Sequence, residues 1–312
     1  MFTDFDTGKS SASWIRTQGA NFRIGSFSVS IKLRVAGYDL TKEISDLYGH
    51  YPQENASSLP DITIALRYPN VLRTFFRPQL QASVNGCNLS KPEARHLGVP
   101  ILEGGLNWFI SLYTNRFLLL HAAVVERDGM AVVMPGRTGV GKSTLCAALL
   151  GRGWRLLSDE FTMVRPKDGR VQPHPRPISL KNSSIGVIEN RIPEARFSKR
   201  YEGTAKGTLA YMRAPPVAIE KAEQTARPVL VVFPRYEPGA RAELIPLDKA
   251  QAFMHLIGQS SNYYTMLGTG FETLATFVEA CDHYSLSYPT LDDAISMIES
   301  VYLVPRGIKH VG

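Results

Sequence analysis

The stretch Met130–Glu160 reads MAVVMPGRTGVGKSTLCAALLGRGWRLLSDE, and it decides the fold class. At its centre, Gly136–Ser143 fits the pattern G-x-x-x-x-G-K-[ST] at every fixed position. The apolar run Met130–Met134 predicts a strand before this loop, and Ser143–Arg152 predicts a helix after it. Arg155–Leu157 then predicts the next strand. Strand, glycine loop, helix and strand in this order indicate a phosphate-binding α/β core.

The residue types of the loop suit a nucleoside triphosphate. Its glycines allow successive backbone N–H groups to point at one anion, and the following helix presents the positive end of its dipole. We expect Lys142 to bridge the β- and γ-phosphates and the Ser143 hydroxyl to bind Mg²⁺. The predicted nucleotide contacts are Gly136, Arg137, Thr138, Gly139, Val140, Gly141, Lys142, Ser143 and Thr144.

An acidic pair follows the loop closely. Asp159 and Glu160 end the strand after the loop's helix, and Asp159 lies 16 residues past Ser143. Beside the loop, one carboxylate is suited to hold Mg²⁺ and the other to accept the proton of a hydroxyl group. A helix N-cap or a surface pair is the alternative explanation.

The first part of the chain differs in character from the loop region. Phe22–Val35 alternates apolar and polar residues as a strand does, Asn85-Gly86 is a hairpin signal, and Leu102–Tyr113 has helical spacing. We therefore predict a smaller N-terminal α+β unit over residues 1–115, for substrate or partner recognition. Residues 116–312 form the predicted ATP-binding catalytic domain.

Composition narrows the class of protein. Of the 312 residues, 44% are apolar and 20% charged, and no apolar run reaches 18 residues, so we expect no membrane span. Met1–Ser13 lacks the pattern of a secretory signal. Cys87, Cys146 and Cys281 are far apart and form no Cys-x-x-Cys pair, which disfavours disulfides and a cysteine zinc site. The expectation is a cytoplasmic protein.

The net charge of +7 is concentrated in one stretch. Between Arg165 and Arg213 there are 11 Lys+Arg against 4 Asp+Glu, whereas the rest of the chain is balanced. These basic residues are mostly spaced singly, so we do not expect a nucleic-acid partner. A phosphorylated ligand, an acidic substrate or a solvated basic surface remain as explanations.

The loop and its surroundings resemble the kinase core of HPr kinase/phosphorylase. That family has a histidine-containing strand, a hairpin, a G-x-x-G-x-G-K-S loop, a helix, and then Arg-Gly-His-Arg-Leu and an acidic pair. Here Arg152–Glu160 aligns without a gap, with Trp154 at the family's histidine and Glu160 where a second aspartate is usual. The clear similarity covers residues 117–160, and a looser one continues to about residue 290.

The chain as a whole is most similar to the uncharacterised HPr-kinase-related kinase A group. The segments that carry this closer likeness are Trp154–Glu160, Pro175–Asn182, Thr204–Gly207 and Phe233–Tyr236. The family's Glu-Ile-Arg-Gly stretch is missing, and PRPISLKN stands in its approximate place.

The resemblance implies a P-loop kinase core of the HPr kinase/PEP carboxykinase type and ATP-dependent phosphoryl transfer to a hydroxyl with Mg²⁺. It implies that one residue of the acidic pair is the general base and the other the metal partner, and we favour Asp159 as the base. His121 matches the histidine near the family's active site, with a core histidine as the alternative. The family's hexamers raise the possibility of a homo-oligomer.

Further cations are expected near the transferred phosphoryl group. Arg176, Lys181, Lys206 and Arg235 lie among Pro, Gly, Ser or Thr, and we favour Lys206 and Arg176 as catalytic residues over surface charges. The residues near Asn262–Tyr264 and Gly270–Glu272 are candidates for the substrate side or for the core.

Three functions remain open at this point. The first is a kinase acting on a serine or threonine of an unidentified protein or peptide, and the second is a kinase acting on a sugar or another metabolite. The third is a non-catalytic ATP sensor, which the combination of Lys142, Ser143, Asp159 and Glu160 disfavours.

Overall fold

The computed structural model describes residues 19–35, 40–55, 59–89 and 91–302. The expectation for Met1–Ser13 lies outside these ranges. The strands are β1 (Gly19–Ile24), β2 (Phe27–Arg34), β3 (Ile62–Arg67), β4 (Gln79–Val84), β5 (Cys87–Asn88), β6 (Glu93–Ala94), β7 (Leu118–Leu120), β8 (Ala122–Arg127), β9 (Met130–Pro135), β10 (Arg155–Ser158), β11 (Thr162–Val164), β12 (Val171–Gln172), β13 (Ile178–Lys181), β14 (Tyr201–Thr204), β15 (Gly207–Met212), β16 (Arg227–Tyr236), β17 (Glu243–Pro246) and β18 (Asp282–Tyr288). The helices are α1 (Leu40–Tyr48), α2 (Leu72–Phe75), α3 (Gly98–Tyr113), α4 (Lys142–Leu150), α5 (Ser183–Arg191), α6 (Pro216–Glu220), α7 (Lys249–Ile257), α8 (Leu267–Glu279) and α9 (Leu291–Tyr302).

An N-terminal sheet has the order β1-β2-β3-β4-β5, with β6 also paired to β4. The alternating stretch predicted over Phe22–Val35 is interrupted, because Gly25 turns the chain at a φ of 54° and β1 pairs antiparallel with β2. The hairpin predicted at Asn85-Gly86 is confirmed, with both residues at positive φ between β4 and β5. Helix α3 packs on β3 and β4.

The central sheet has the order β10-β8-β9-β16-β18-β17. β9 runs parallel to β16, and β16 runs parallel to β18. β8 is antiparallel to β9, and β10 is antiparallel to β8, so β10 points the same way as β9. The C-terminal ends of β9, β10, β16 and β18 and the start of β8 therefore lie at one edge of the sheet. The α/β class predicted from the loop region is confirmed.

Both faces of the central sheet are covered by helices. Alternate residues of β8 face opposite sides, because Val125 belongs to one buried cluster and Val124 to another. The first cluster contains residues of α4 and α9, and the second contains residues of α7 and α8. The sheet therefore lies between two helical layers.

A smaller antiparallel sheet, β13-β15-β14, lies next to the N-terminal unit. The Tyr51 hydroxyl donates to the Pro175 carbonyl at 3.0 Å, and the Arg176 guanidinium lies 3.5 Å from the Glu103 carboxylate. One buried apolar cluster includes residues of the N-terminal sheet and of the central sheet. The division near residue 115 stays a prediction. Across the described ranges, no helix has both the length and the apolar character needed to cross a bilayer.

Candidate active site

The phosphate loop, the acidic pair and His121 meet at the same edge of the central sheet. The loop begins where β9 ends, Asp159 follows β10, and His121 precedes β8. Because Ala122 pairs with Pro135 in the β8–β9 ladder, His121 lies beside the start of the loop, and its carbonyl accepts from the Gly136 amide at 3.4 Å.

The loop conformation depends on its glycines. Gly136, Gly139 and Gly141 have φ values of 153°, 95° and 101°, a region that residues with a Cβ rarely adopt. A Cβ on Gly141 would also lie 2.4 Å from the Tyr288 hydroxyl oxygen. Helix α4 starts immediately after Gly141, so its first N–H groups face the concave side of the loop.

Lys142 is folded back over this loop. Its ammonium group donates to the Gly136 carbonyl and, at 3.0 Å, to the Arg137 carbonyl. Burial lowers the pKa of Lys142, while the carboxylates of Asp159 and Glu160 oppose that change. The ammonium group is thus positioned at the anion-binding face of the loop.

Asp159 is a buried carboxylate without a direct partner. The residue is 4% exposed, and neither of its oxygens has a hydrogen-bond partner in the part of the chain that the structure describes. Burial, followed by the charge of Glu160, raises the pKa of Asp159 to about 7. The nearby Ser143 hydroxyl, Lys142 and the Ser179 amide oppose this rise, but neither Ser143 nor Ser179 reaches hydrogen-bond geometry. Such a carboxylate can exchange a proton near neutral pH.

Glu160 and His121 lie on the more open side of this carboxylate. A distance of 4.0 Å separates the His121 Nδ1 atom from the Glu160 carboxylate. Burial and the positive charge of Lys142 lower the pKa of His121, and Glu160 opposes them. The imidazole is therefore predominantly neutral at pH 7.

The donor set fits a magnesium ion that is shared with a phosphate ligand. The described residues contain no group of three or more His, Cys, Asp or Glu side chains arranged to hold a metal. The unpartnered Asp159 oxygens lie close to the Ser143 hydroxyl, and Glu160 adds a second carboxylate. Mg²⁺ is commonly held by one or two carboxylates together with phosphate oxygens and water, so these three side chains suit it.

These groups line a cavity of about 580 Å³. The volume is within the usual range for sites of nucleotides and other small ligands. The walls come from the phosphate loop, the acidic pair, the junction of β13 and α5, the β14–β15 hairpin, and the ends of β16 and β18. The lining residues are His121, Thr138, Gly139, Gly141, Lys142, Ser143, Thr144, Asp159, Glu160, Ser179, Lys181, Asn182, Ser183, Ser184, Val187, Arg191, Lys206, Tyr236, Tyr288, Pro289, Thr290 and Leu291.

Some residues selected from the sequence lie away from this cavity. Arg176 is absent from its walls, because the guanidinium is 5% exposed and contacts Glu103 and Asn107 of α3. Arg235 is at the surface, with its guanidinium 2.8 Å from Glu237. Among the predicted loop contacts, Gly136, Arg137 and Val140 shape the loop without lining the cavity.

The aromatic segment considered for the substrate side has a structural role. Asn262 is 3% exposed; its side chain accepts from the Leu119 amide at 2.9 Å and donates to the Thr114 and Phe117 carbonyls. None of the residues at 262–264 or 270–272 lines the cavity.

Two tyrosines that sequence reasoning did not select as site residues border the loop. Tyr236 ends β16 and Tyr288 ends β18, and their ring centroids are 5.7 Å apart. The Tyr236 amide donates to the Val140 carbonyl at 3.2 Å. Only the parallel pairing of β9, β16 and β18 brings them to the loop, and no local pattern in the sequence signals it.

Comparison with known proteins finds similarities to parts of the chain. The family model described as SynChlorMet cassette protein ScmC matches residues 90–185, which include the phosphate loop and the acidic pair. An HPr kinase/phosphorylase of Streptococcus thermophilus is 29% identical over 151 residues, covering 43% of this chain and 48% of that relative. Another, of Streptococcus agalactiae, is 25% identical over 235 residues, covering 61% of this chain and 75% of that relative. The chain thus spans about half the length of the first of these curated relatives.

A solved structure also matches in part. The HPr(Ser) kinase/phosphatase from Coxiella burnetii superposes with a TM-score of 0.26 at 14% identity, over 59% of this chain and 97% of that one. The sequence similarities to the curated relatives support placing the chain in an HPr kinase-like family.

Proposed function

We propose that this protein is an ATP-dependent kinase that transfers the γ-phosphoryl group to a serine or threonine hydroxyl of a protein or peptide, assisted by Mg²⁺. The observation that carries the proposal is the juxtaposition of the phosphate loop with Asp159, a buried carboxylate whose oxygens lack partners and whose pKa is about 7. The names of the curated relatives, HPr kinase/phosphorylase, agree with a phosphotransferase.

In this proposal Asp159 is the general base. The acceptor oxygen forms a bond to the γ-phosphorus while the bond from that phosphorus to the β,γ-bridging oxygen breaks. The hydroxyl proton passes to Asp159, and ADP is the leaving group. A base with a pKa near 7 is ionised in a large fraction of molecules at neutral pH and still basic enough to take the proton.

The other residues bind and orient the triphosphate. The N–H groups at the start of α4 and the Lys142 ammonium would neutralise phosphate oxygens, after Lys142 exchanges its two carbonyl partners for them. Mg²⁺ held by Ser143 and Glu160, with Asp159 as a further candidate ligand, would offset the charge that develops on the β,γ-bridging oxygen. His121 faces the same cavity beside Glu160.

The proposal is tested with γ-labelled ATP, Mg²⁺ and candidate proteins or peptides encoded near the gene. We expect transfer of the label to a serine or threonine of one acceptor, abolished in Lys142→Ala. A matched control is Lys167→Gln, which removes an exposed positive charge away from the cavity. Absence of both transfer and ATP turnover with every acceptor, with Lys142→Ala indistinguishable from wild type, would refute it.

A small-molecule kinase is the second candidate. It is favoured by the cavity volume of about 580 Å³, which suits compact ligands. The same labelling assay with a panel of sugars and hydroxy acids separates the two. Saturable transfer to a free metabolite, without transfer to any polypeptide, would select this candidate.

A further inference from the structure

Besides Lys142 of the phosphate loop, two further lysines contribute positive charge to the cavity. Lys181, at the end of β13, and Lys206, in the β14–β15 hairpin, both line it. Among the described residues, no hydrogen-bond or ion-pair partner is found for either ammonium group. Five of the nine other basic side chains in the same stretch form ion pairs with carboxylates: Arg165, Arg176, Arg191, Lys199 and Arg200.

The two unpaired ammonium groups are close enough to repel each other. Burial and then the charge of Lys206 lower the pKa of Lys181, and the carboxylates of Glu160 and Asp159 oppose this effect. Like charges that share a partly dehydrated cavity destabilise each other, and an anion bound between them removes that repulsion.

Local structure holds the two lysine-bearing segments together. Asn182, which follows Lys181, has a φ of 50°; its amide donates to the Thr208 carbonyl at 2.9 Å, and its side-chain oxygen accepts from the Thr208 amide at 3.1 Å. Gly207 has a φ of 85°, and a Cβ there would lie 2.4 Å from that side-chain oxygen, so glycine is favoured next to Lys206. The geometry of both lysines is therefore built into the fold.

The alternation of side chains along β13 places Lys181 on the same side of the strand as Ser179, whose amide lies beside Asp159, the proposed base. Burial alternates along the strand, so Ser179 and Lys181 point to the same face, and both line the cavity. Residues two apart in a strand are separated by roughly 7 Å. The Ser179 amide is beside the Asp159 carboxylate. An anion held by Lys181 would therefore lie in the same cavity as a hydroxyl that reaches Asp159.

We propose that the acceptor carries an anionic group, a carboxylate or a phosphate, that Lys181 and Lys206 bind while its hydroxyl faces Asp159. In a polypeptide this is an acidic or phosphorylated residue close in sequence to the serine or threonine. A position two residues away is the first choice, because an extended peptide places side chains two residues apart on the same face. The first N–H groups of α5, from Ser183 and Ser184 on the cavity wall, add to this anion site. The inference rests on the proposed function and names the substrate class of the same site.

Inorganic phosphate is the direct probe of the anion site. Calorimetric titration of phosphate into protein saturated with Mg²⁺ and a non-hydrolysable ATP analogue keeps the phosphate loop filled. We expect phosphate to bind, and Lys181→Gln or Lys206→Gln to weaken that binding about tenfold or more, since each removes a charge-assisted hydrogen bond. Affinity for the ATP analogue should not change in either variant, and Lys167→Gln should match wild type in both titrations.

If the analogue binds but phosphate does not, or if the lysine variants lose affinity for the analogue instead, the anion site is refuted and the proposed kinase function stands. If the analogue itself fails to bind, both are refuted.

Matched acceptors give the second measurement. Peptides containing Ser-x-Glu and Ser-x-Gln are compared, together with glycerol phosphate and glycerol as free compounds. Within the pair of compounds that the enzyme accepts, we expect kcat/KM to be at least about tenfold higher for the anionic compound than for the neutral one. This difference should disappear in Lys181→Gln. The pair that reacts identifies a peptide or a small-molecule acceptor. Equal rates for charged and neutral members would overturn the inference.

Discussion

Replacing Asp159 by asparagine should strongly lower kcat and at the same time stabilise the protein at alkaline pH. In the absence of nucleotide and Mg²⁺, burial and then Glu160 raise the pKa of Asp159 to about 7 from an ordinary value of 3.8. The folded state therefore binds more protons than the unfolded state between these two values. The free energy of unfolding falls as the pH rises through this window and levels off above pH 7.

The size of the effect follows from the same difference in pKa. At 1.36 kcal/mol for each whole pKa step, the ionised carboxylate costs the folded state about 4 kcal/mol at pH 8. An asparagine side chain carries no charge, so Asp159→Asn should recover a large part of this and raise Tm by several degrees at pH 8. At pH 4 the two proteins should differ little, because the carboxyl is largely protonated in the folded state.

Thermal or urea unfolding from pH 4 to pH 9, without ligands, measures the effect. Asp128→Asn is the matched control, since Asp128 is an exposed turn residue with a φ of 53° that asparagine also adopts. The same Asp159→Asn protein should lose about 10²-fold or more in kcat. A stability difference that does not depend on pH, or a fully active variant, would refute the assignment of Asp159 as a buried base.

Three further predictions concern the loop and its support. Lys142→Met should weaken Mg-ATP binding about tenfold or more, measured by calorimetry, and unchanged affinity would contradict its assignment to the phosphates. Gly141→Ala should destabilise the protein by about 1–3 kcal/mol in urea unfolding, because its Cβ meets the Tyr288 hydroxyl and its φ is positive, and Tyr288→Phe should relieve part of this cost. Arg155→Met should cost about 3–5 kcal/mol, because the buried Glu126 carboxylate keeps its hydrogen bond from the Gly129 amide but loses its counter-ion, and a loss below 1 kcal/mol would show that another cation replaces Arg155.

The nucleotide side of the site could be predicted from sequence because its determinants are local. The glycine loop, the helix that begins at Lys142 and the strand that ends at Ser158 are contiguous. Asp159 follows β10, which shares the direction of β9, so a short stretch of chain brings the carboxylate to the loop.

The acceptor side could not be predicted in the same way. Tyr288 reaches the loop through the pairing of β18 with β16, two strands far from the loop in sequence. Arg176 has the local neighbours of a loop cation, but its guanidinium is ion-paired with Glu103. No sequence pattern around Arg176 indicates this partner. The local sequence nominates Lys181 and Lys206 as candidate cations, but their proximity to each other depends on the pairing of β13 with β15.

The most direct test of the central claim is transfer of the label from γ-labelled ATP in the presence of Mg²⁺ and a Ser-x-Glu acceptor peptide. The account predicts a phosphoserine product, stoichiometric ADP and loss of transfer in Asp159→Asn. Label released only as inorganic phosphate at the same rate in wild type and Asp159→Asn, or no turnover with any hydroxyl acceptor, would contradict it.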